Sequence, residues 1–321
     1  MVALDTIRAS NAALKGKLPA GLVALFVGGT SGIGEHTMRV FYETAPSPRV
    51  YFMGRSQSSA DRIISSLKPL NPDGHLEFIQ ADASLLRNVD EATRKFNEKE
   101  KELNLLVMSQ GFLTMEGRVE TEEGLDTKLA LNYFSRARFI QNLLPALTTA
   151  ASNSNNPIGA RVISVLSAGH EGPINFADYE LKKTFSLRNA GIHAVTSNSA
   201  LSKYLAKQHP DISFIHSYPG GVETGIISQS RLPAVLTMTL KLIAPLFRSF
   251  IKTPEESGQR HFWMATNEKF KTGGWLMDSE NEESAGAKKA FEKGWCNEAV
   301  GETVWQRSLE IFDKVQKEGK A

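Results

Sequence analysis

A cluster of glycines at the end of an apolar run is the first feature of this chain that could do chemistry. Residues 22–27, "LVALFV", lead directly into "GGTSGIGEHTMRVFYE", which puts Gly28, Gly32 and Gly34 in a G-x-x-x-G-x-G spacing. Glycines spaced in this way let a turn close tightly and come near a pyrophosphate, and a helix that follows offers its free N–H groups to that anion. The glycine pattern alone is weak, but strand, glycine turn and helix in sequence are the context a dinucleotide site requires. About twenty residues further on, an acidic side chain would hold the ribose 2′-hydroxyl of NAD. Here "RVYFMGRS" offers Arg55 and Ser56 instead. A guanidinium at that point can pair a 2′-phosphate, so these residues point to NADP(H). An ordinary solvent-exposed arginine is the plainer alternative. His170 and His193 are further groups able to exchange protons near neutral pH, although either would more often be a surface or core histidine.

The elements that must position these residues follow from the apolar pattern. "LVALFV" is continuous enough for a strand buried on both faces. Further strands are expected at "RVYFMGRS" (49–56), "LEFIQAD" (76–82, ending in Asp82) and "LNLLVMSQG" (103–111, ending in Ser109, Gln110 and Gly111). Strands alternating with helical stretches argue for an α/β fold with a Rossmann-type, doubly wound parallel sheet, and ligands should bind at the carboxyl ends of its strands. The expected organisation is an N-terminal arm (1–20), a single Rossmann-fold domain (21–270) and a C-terminal extension (271–321). The apolar segment "LPAVLTMTLKLIAPLFRSFI" (232–251) is interrupted by Lys241, Pro245 and Arg248. That argues against a transmembrane helix and for a lid or substrate segment at about 226–252 over an apolar pocket. A dimer face or a peripheral membrane contact is the alternative reading of it.

Composition narrows the partners. With 37 basic and 35 acidic residues and a net charge of +2, nothing in the balance points to nucleic acid. Cys296 is the only cysteine, which rules out an internal disulfide and a cysteine metal cluster. No metal-spaced His/Cys set is present, so no metal is expected. The N-terminal residues carry no apolar core followed by a cleavage site, and a reducing, cytoplasmic setting fits.

Taken in order, the motifs resemble those of the short-chain dehydrogenase/reductase family over about residues 20–270. "VGGTSGIG" resembles its glycine turn, with Val27 in place of the usual threonine, and implies cofactor contacts from Gly28, Thr30, Ser31, Gly32, Ile33 and Gly34. The resemblance puts Asp82 against adenine and "MSQG", with Gln110 and Gly111, at the usual N-N-A-G. It puts Asn132 of "LNYFSRARF" at the asparagine of the long central helix, Ser167 of "RVISVLSAGH" at the catalytic serine, and "SYPGGVET" at the loop that cups the nicotinamide. That loop brings in Pro219, Gly220, Val222 and Thr224. "KTPEESGQ" (252–259) is similar to the retinol-dehydrogenase-like branch, and the wording of the whole chain is similar to a fungal group of these proteins.

One motif of the family is displaced or missing. A Tyr-x-x-x-Lys pair shares a helix face, where the ammonium favours the phenolate and the tyrosine exchanges a proton with the substrate oxygen. Counting back from "LAK" (205–207) puts Gly191 and Val195 of "NAGIHAV" at those two positions, with Asn198 where relatives often carry asparagine. The literal match is Tyr179 and Lys183 of "DYELKK", and a third register puts Ser199 and Lys203 there. The first register is favoured because "SLRNAG" reads as a turn and a helix start; Tyr179 could still contribute from the preceding loop. The resemblance implies an NADPH-dependent reductase acting on a small apolar carbonyl, imine or conjugated substrate in fungal natural-product biosynthesis. A non-redox isomerase or cyclase, or a silent NADPH-binding protein, is the alternative. It also implies a homodimer, which the C-terminal extension could alter.

Overall fold

The computed structural model describes residues 2–112, 114–223 and 251–321; Thr224 and residues 232–250 of the apolar segment lie outside them. Among the described residues the strands are β1 (Val23–Val27), β2 (Arg49–Gly54), β3 (His75–Gln80), β4 (Leu105–Met108), β5 (Ala160–Val165), β6 (Ile212–Ser217) and β7 (Gly273–Met277). The helices are α1 (Leu4–Ala12), α2 (Gly32–Thr44), α3 (Gln57–Leu67), α4 (Leu86–Lys99), α5 (Thr127–Leu129), α6 (Ser135–Ser152), α7 (Leu187–Gln208), α8 (Pro254–Thr266), α9 (Ala285–Glu292) and α10 (Glu298–Glu318). The sheet is parallel throughout, in the order β3-β2-β1-β4-β5-β6-β7, which is the Rossmann-type doubly wound arrangement.

The strands form where apolar residues run continuously, because both sheet faces are covered. Val23, Leu25 and Val27 of β1 pack with Leu106 and Met108 against Phe96 of α4, Leu143 of α6 and Leu201 of α7. The alternate residues Ala24 and Phe26 pack with Phe52 and Val107 on the opposite face, against Phe41 of α2, Ile63 of α3 and Phe262 of α8. The two helix layers thus clamp the sheet and leave its carboxyl edge for loops.

Three local features differ from the sequence pattern. β4 stops at Met108, so Ser109, Gln110 and Gly111 form a loop rather than a strand end. The central helix is interrupted by a π-helical turn, Ala130–Phe134, which carries Asn132; such turns recur at functional sites. The sheet also continues past residue 270, where the core was expected to end, because β7 pairs with β6. Its sequence, "GGWLM", is short and opens on two glycines, so it gives little strand signal. Beyond it, α10 buries Val304, Ile311, Phe312 and Val315 in the first core, and Tyr133 shares a 2.7 Å hydrogen bond with its Ser308. The N-terminal arm is likewise packed: Ile7 of α1 is buried in the second core, and Asn11 Nδ2 donates to Gln259 O at 2.9 Å. Among the described residues no helix is long and apolar enough to cross a membrane.

Candidate active site

The glycine turn owes its shape to close backbone approach. Gly28 has φ +83, and a Cβ there would stand 2.7 Å from Gln110 N. At Gly34 a Cβ would stand 2.5 Å from both Gly28 O and Ser109 Oγ. Gly32, at φ +57, opens α2, and the N-cap Ser31 makes no side-chain bond to the first turn. The first-turn N–H groups therefore remain available to an anion. Facing them is a solvent-open cleft of about 890 Å³, lined among others by Gly28, Thr30, Ser31, Gly32, Ile33, Arg55, Asp82, Gln110, Gly111 and Leu131.

Arg55 follows β2 directly and lies exposed at the cleft. Its carbonyl accepts from Gln80 Nε2 at 3.0 Å, while its guanidinium has no partner among the described residues. Ser56 caps α3, its Oγ accepting from Ser59 N at 3.2 Å. Asp82 Oδ1 accepts from Ser84 N at 2.9 Å, which fixes the loop after β3. Gln110 is buried and its Nε2 donates to Ser135 Oγ at 3.2 Å, leaving Oε1 without a protein partner. A donor arriving with a ligand would satisfy that orphaned acceptor. Past β6, Gly220 has φ +77, and Val222 pairs with Lys252. Thus Pro219, Gly220 and Val222 lie in a turn beyond the described cleft lining, and Thr224 lies outside the described residues.

A second cluster stands at the ends of β4 and β5. Asn198 Nδ2 donates to Asn132 O (2.8 Å) and Ala194 O (2.7 Å), and Ser164 Oγ donates to Asn198 Oδ1 at 2.8 Å. The Asn132 side chain borders Gly111, where a Cβ would be 3.2 Å from its Oδ1. Arg136, one helical turn on, donates from Nη1 to Ser164 Oγ (2.7 Å) and Val165 O (2.9 Å), and from Nη2 to Gln110 O (2.7 Å). Ser167 is half-buried, and its N–H donates to His216 Nε2 at 3.3 Å. With Nε2 accepting, the proton sits on Nδ1, which donates to Ser199 Oγ at 2.7 Å. Ser199 in turn donates to Glu171 Oε1 at 2.6 Å, and Gly169 N donates to both oxygens of that carboxylate at 3.0 Å. The chain ties the Ser167 loop to β6 and α7. Burial, assisted by the Arg136 charge, pushes the His216 imidazole down to about 3 and keeps it neutral.

α7 starts at the Ser186 N-cap, whose Oγ accepts from Asn189 N at 3.1 Å. "NAGIHAV" therefore lies in the first turns of the helix. Gly191 is exposed, and a Cβ built on it meets nothing within 4 Å among the described residues; Val195 is buried one turn later. The literal motif falls ahead of the helix. Lys183 sits in a turn whose N–H donates to Asp178 Oδ2 at 2.9 Å, so Tyr179 and Lys183 do not share a helix face. Tyr179 is 7% exposed, stacked on Phe176 and edge-on to Phe134, and its hydroxyl shares a 3.2 Å hydrogen bond with Ser197. Burial raises its pKa, the opposite of what an acid activated for neutral pH needs. Lys203 Nζ donates to Gly274 O of β7 at 2.7 Å. His193 has both ring nitrogens on backbone groups, accepting from Asn175 N (3.0 Å) and facing Tyr179 O (3.3 Å), whereas His170 is exposed near Ser167 O.

Arg136, Ser164, Glu171 and His216 had no sequence signal. An arginine in "SRARF" reads as a helix-surface charge, and the Glu171–Ser199–His216 chain joins residues far apart in sequence. Among the described residues no group of three His, Cys, Asp or Glu side chains is placed to hold a metal ion.

A parallel Rossmann-type sheet with a glycine-turned cleft at its carboxyl edge defines a dinucleotide-binding α/β protein. Comparison with known proteins narrows the class. A family model described as short chain dehydrogenase matches residues 22–233. Over 82% of its length, covering 76% of the other protein, the chain is 46% identical to "Oxidoreductase AN1596" of Emericella nidulans. It is 36% identical to "Oxidoreductase andH" of Emericella variicolor, over 90% of this chain and 81% of that one. Among solved structures, the "Pseudomonas aeruginosa RhlG/NADP active-site complex" shares the fold with a TM-score of 0.59 at 23% identity, covering 82% of this chain and 96% of that one. The chain belongs to the short-chain dehydrogenase family, a family of oxidoreductases.

Proposed function

We propose that this protein is an NADPH-dependent reductase of a small, apolar carbonyl, imine or conjugated molecule in a fungal natural-product pathway. The observation that carries the reading is the unpaired Arg55 guanidinium beside the glycine-turned cleft. The residues fit the cofactor: the cradle excludes a Cβ at Gly28 and Gly34, the first turn of α2 is uncapped, and Gln110 Oε1 awaits a donor. Arg55 and Ser56 would hold the 2′-phosphate, the α2 N-terminus the pyrophosphate and Asp82 the adenine. Pro219, Gly220, Val222 and Thr224 would hold the nicotinamide end. The structural relative from Pseudomonas aeruginosa is an NADP complex, which supports the choice of cofactor. The fungal relatives named as oxidoreductases support the setting.

When bound, the cofactor supplies hydride. The chain's own part is to orient and polarise. Ser167, held through His216, would donate to the acceptor oxygen, and Asn132 would brace the π-helical turn against α7. With glycine and valine at positions 191 and 195, no side chain there moves a proton, so the final proton comes from solvent. The same feature favours a second reading, a non-redox enzyme or a silent NADPH-binding protein on this scaffold. NADPH oxidation, followed across a panel of ketones, conjugated carbonyls and imines with the native chain and Ser167→Ala, separates them. The reductase reading expects turnover of one class that falls at least about 100-fold in the variant. Tight NADPH binding without turnover of any class would replace it with the second reading.

A further inference from the structure

Arg136 is only 1% exposed, and each of its hydrogen bonds ends on a neutral oxygen: Ser164 Oγ, Val165 O, Gln110 O and, from Nε, Leu131 O at 3.3 Å. No carboxylate among the described residues pairs with it. The buried acid at this end of the sheet, Glu171, is already engaged by Gly169 N and Ser199. Burying a cation without a counter-charge costs more than neutral hydrogen bonds return, so such a charge is a candidate for function. Its placement gives the function a direction. Gln110 and Leu131 line the cofactor cleft, and Val165 lies two residues ahead of Ser167. From α7, the neutral Asn198 meets the same Ser164 hydroxyl that Arg136 bonds. The other titratable group packed here, His216, is held neutral, and burial leaves the guanidinium at about 9, still charged at neutral pH.

We propose that Arg136 supplies the fixed positive charge of this site, and that the acceptor is a neutral carbonyl compound whose oxygen becomes anionic, rather than an iminium cation. This deepens the reductase reading above and rests on it. The acceptor carbon, carbonyl carbon in a ketone or β carbon in a conjugated carbonyl, takes a hydride with its electron pair. The π electrons move to oxygen, the nicotinamide is left oxidised, and water gives the oxygen its proton. A buried cation lowers the energy of that oxyanion and raises the energy of a cationic substrate entering the same site. Arg136 touches neither partner; it is a positioning residue that acts through its field and through the strand ends it ties together.

The test is binding of a chromophoric oxyanion. The full chain is saturated with NADPH, whose reduced ring is neutral, and titrated with 4-nitrophenol, whose phenol and phenolate separate by absorbance. The native chain should lower the bound probe's pKa by about one unit, a roughly tenfold preference for the phenolate. Arg136→Lys should keep most of that shift, and Arg136→Met should abolish it while NADPH affinity stays within about twofold. An equal shift in native and Arg136→Met chains, or no phenolate binding at all, would overturn the proposal. Should Arg136→Met not fold, the native chain alone decides, by comparing the phenolate with a methylpyridinium cation of similar size. A preference of about tenfold for the anion supports the proposal, and equal or tighter binding of the cation overturns it. Loss of NADPH binding in the native chain would instead sink the reductase reading itself.

Discussion

Replacing Arg55 with alanine removes the one cation that lines the described part of the cleft while leaving the turn and the strands in place. The side chain is exposed and makes no hydrogen bond of its own among the described residues, so its loss should not disturb the fold. A hydrogen bond to a charged group contributes about 1.5–3 kcal/mol, and solvent at this exposed position argues for the lower half of that range. At about 1.4 kcal/mol per tenfold, the Kd for NADPH should rise about 12- to 40-fold in Arg55→Ala. NADH lacks the 2′-phosphate, and its Kd should move by less than about twofold. Titration of nicotinamide fluorescence with both cofactors measures the two effects side by side. Added salt should weaken NADPH binding more in the native chain than in the variant, because the lost contact is a screened ion pair. Equal losses for the two cofactors, or no loss for either, would refute the assignment of Arg55 to the phosphate.

Other substitutions probe the cradle and the core. Gly34→Ala would drive a methyl to 2.5 Å from Gly28 O and Ser109 Oγ, so it should cost about 1–3 kcal/mol in stability and remove NADPH binding, as read by thermal unfolding and titration. Tyr179→Phe removes the hydroxyl's bond to Ser197 and its interactions with Tyr133 and Ser308; we expect a stability loss of about 1 kcal/mol with turnover within about twofold, and a large loss of turnover would return Tyr179 to the site. Stability should also fall in acid. His216 and His261 are pushed down to about 3 and about 4 by burial, so below about 6.5 the unfolded chain binds protons that the folded chain refuses. Each such histidine removes up to about 1.4 kcal/mol per pH unit as pH falls toward its folded value. His216→Gln should reduce the proton uptake on unfolding by one, measurable from the pH dependence of urea midpoints.

The cofactor half of the molecule was legible because its signals are local. A continuous apolar run makes β1, glycines make the turn, and Arg55 follows β2 within a few residues. The start of α7 was legible too, since Ser186 is an N-cap of an ordinary kind. Reading "DYELKK" by its letters alone gave no hint that Tyr179 is packed among aromatic rings, because tertiary burial, not spacing, decides that. The polar network behind Ser167 was illegible for the same reason. Glu171, Ser199 and His216 come from a loop, a helix and a strand, and only the folded sheet joins them into one hydrogen-bonded chain. Arg136 is the sharpest case, since a buried unpaired arginine looks in sequence like any helix-surface cation. β7 escaped notice because a strand opening on two glycines has little apolar pattern to show.

The proposed function requires this chain to transfer hydride from NADPH although its favoured register puts Gly191 and Val195 where a tyrosine and a lysine would act. Incubating the full chain with NADPH deuterated at nicotinamide C4, together with a panel of carbonyl, conjugated carbonyl and imine acceptors, measures that transfer by mass spectrometry of the products. We expect a reduced product carrying one deuterium at carbon, formed by the native chain and strongly diminished in Ser167→Ala. A product formed without deuterium, or no reduced product from any acceptor while NADPH binds tightly, would contradict it.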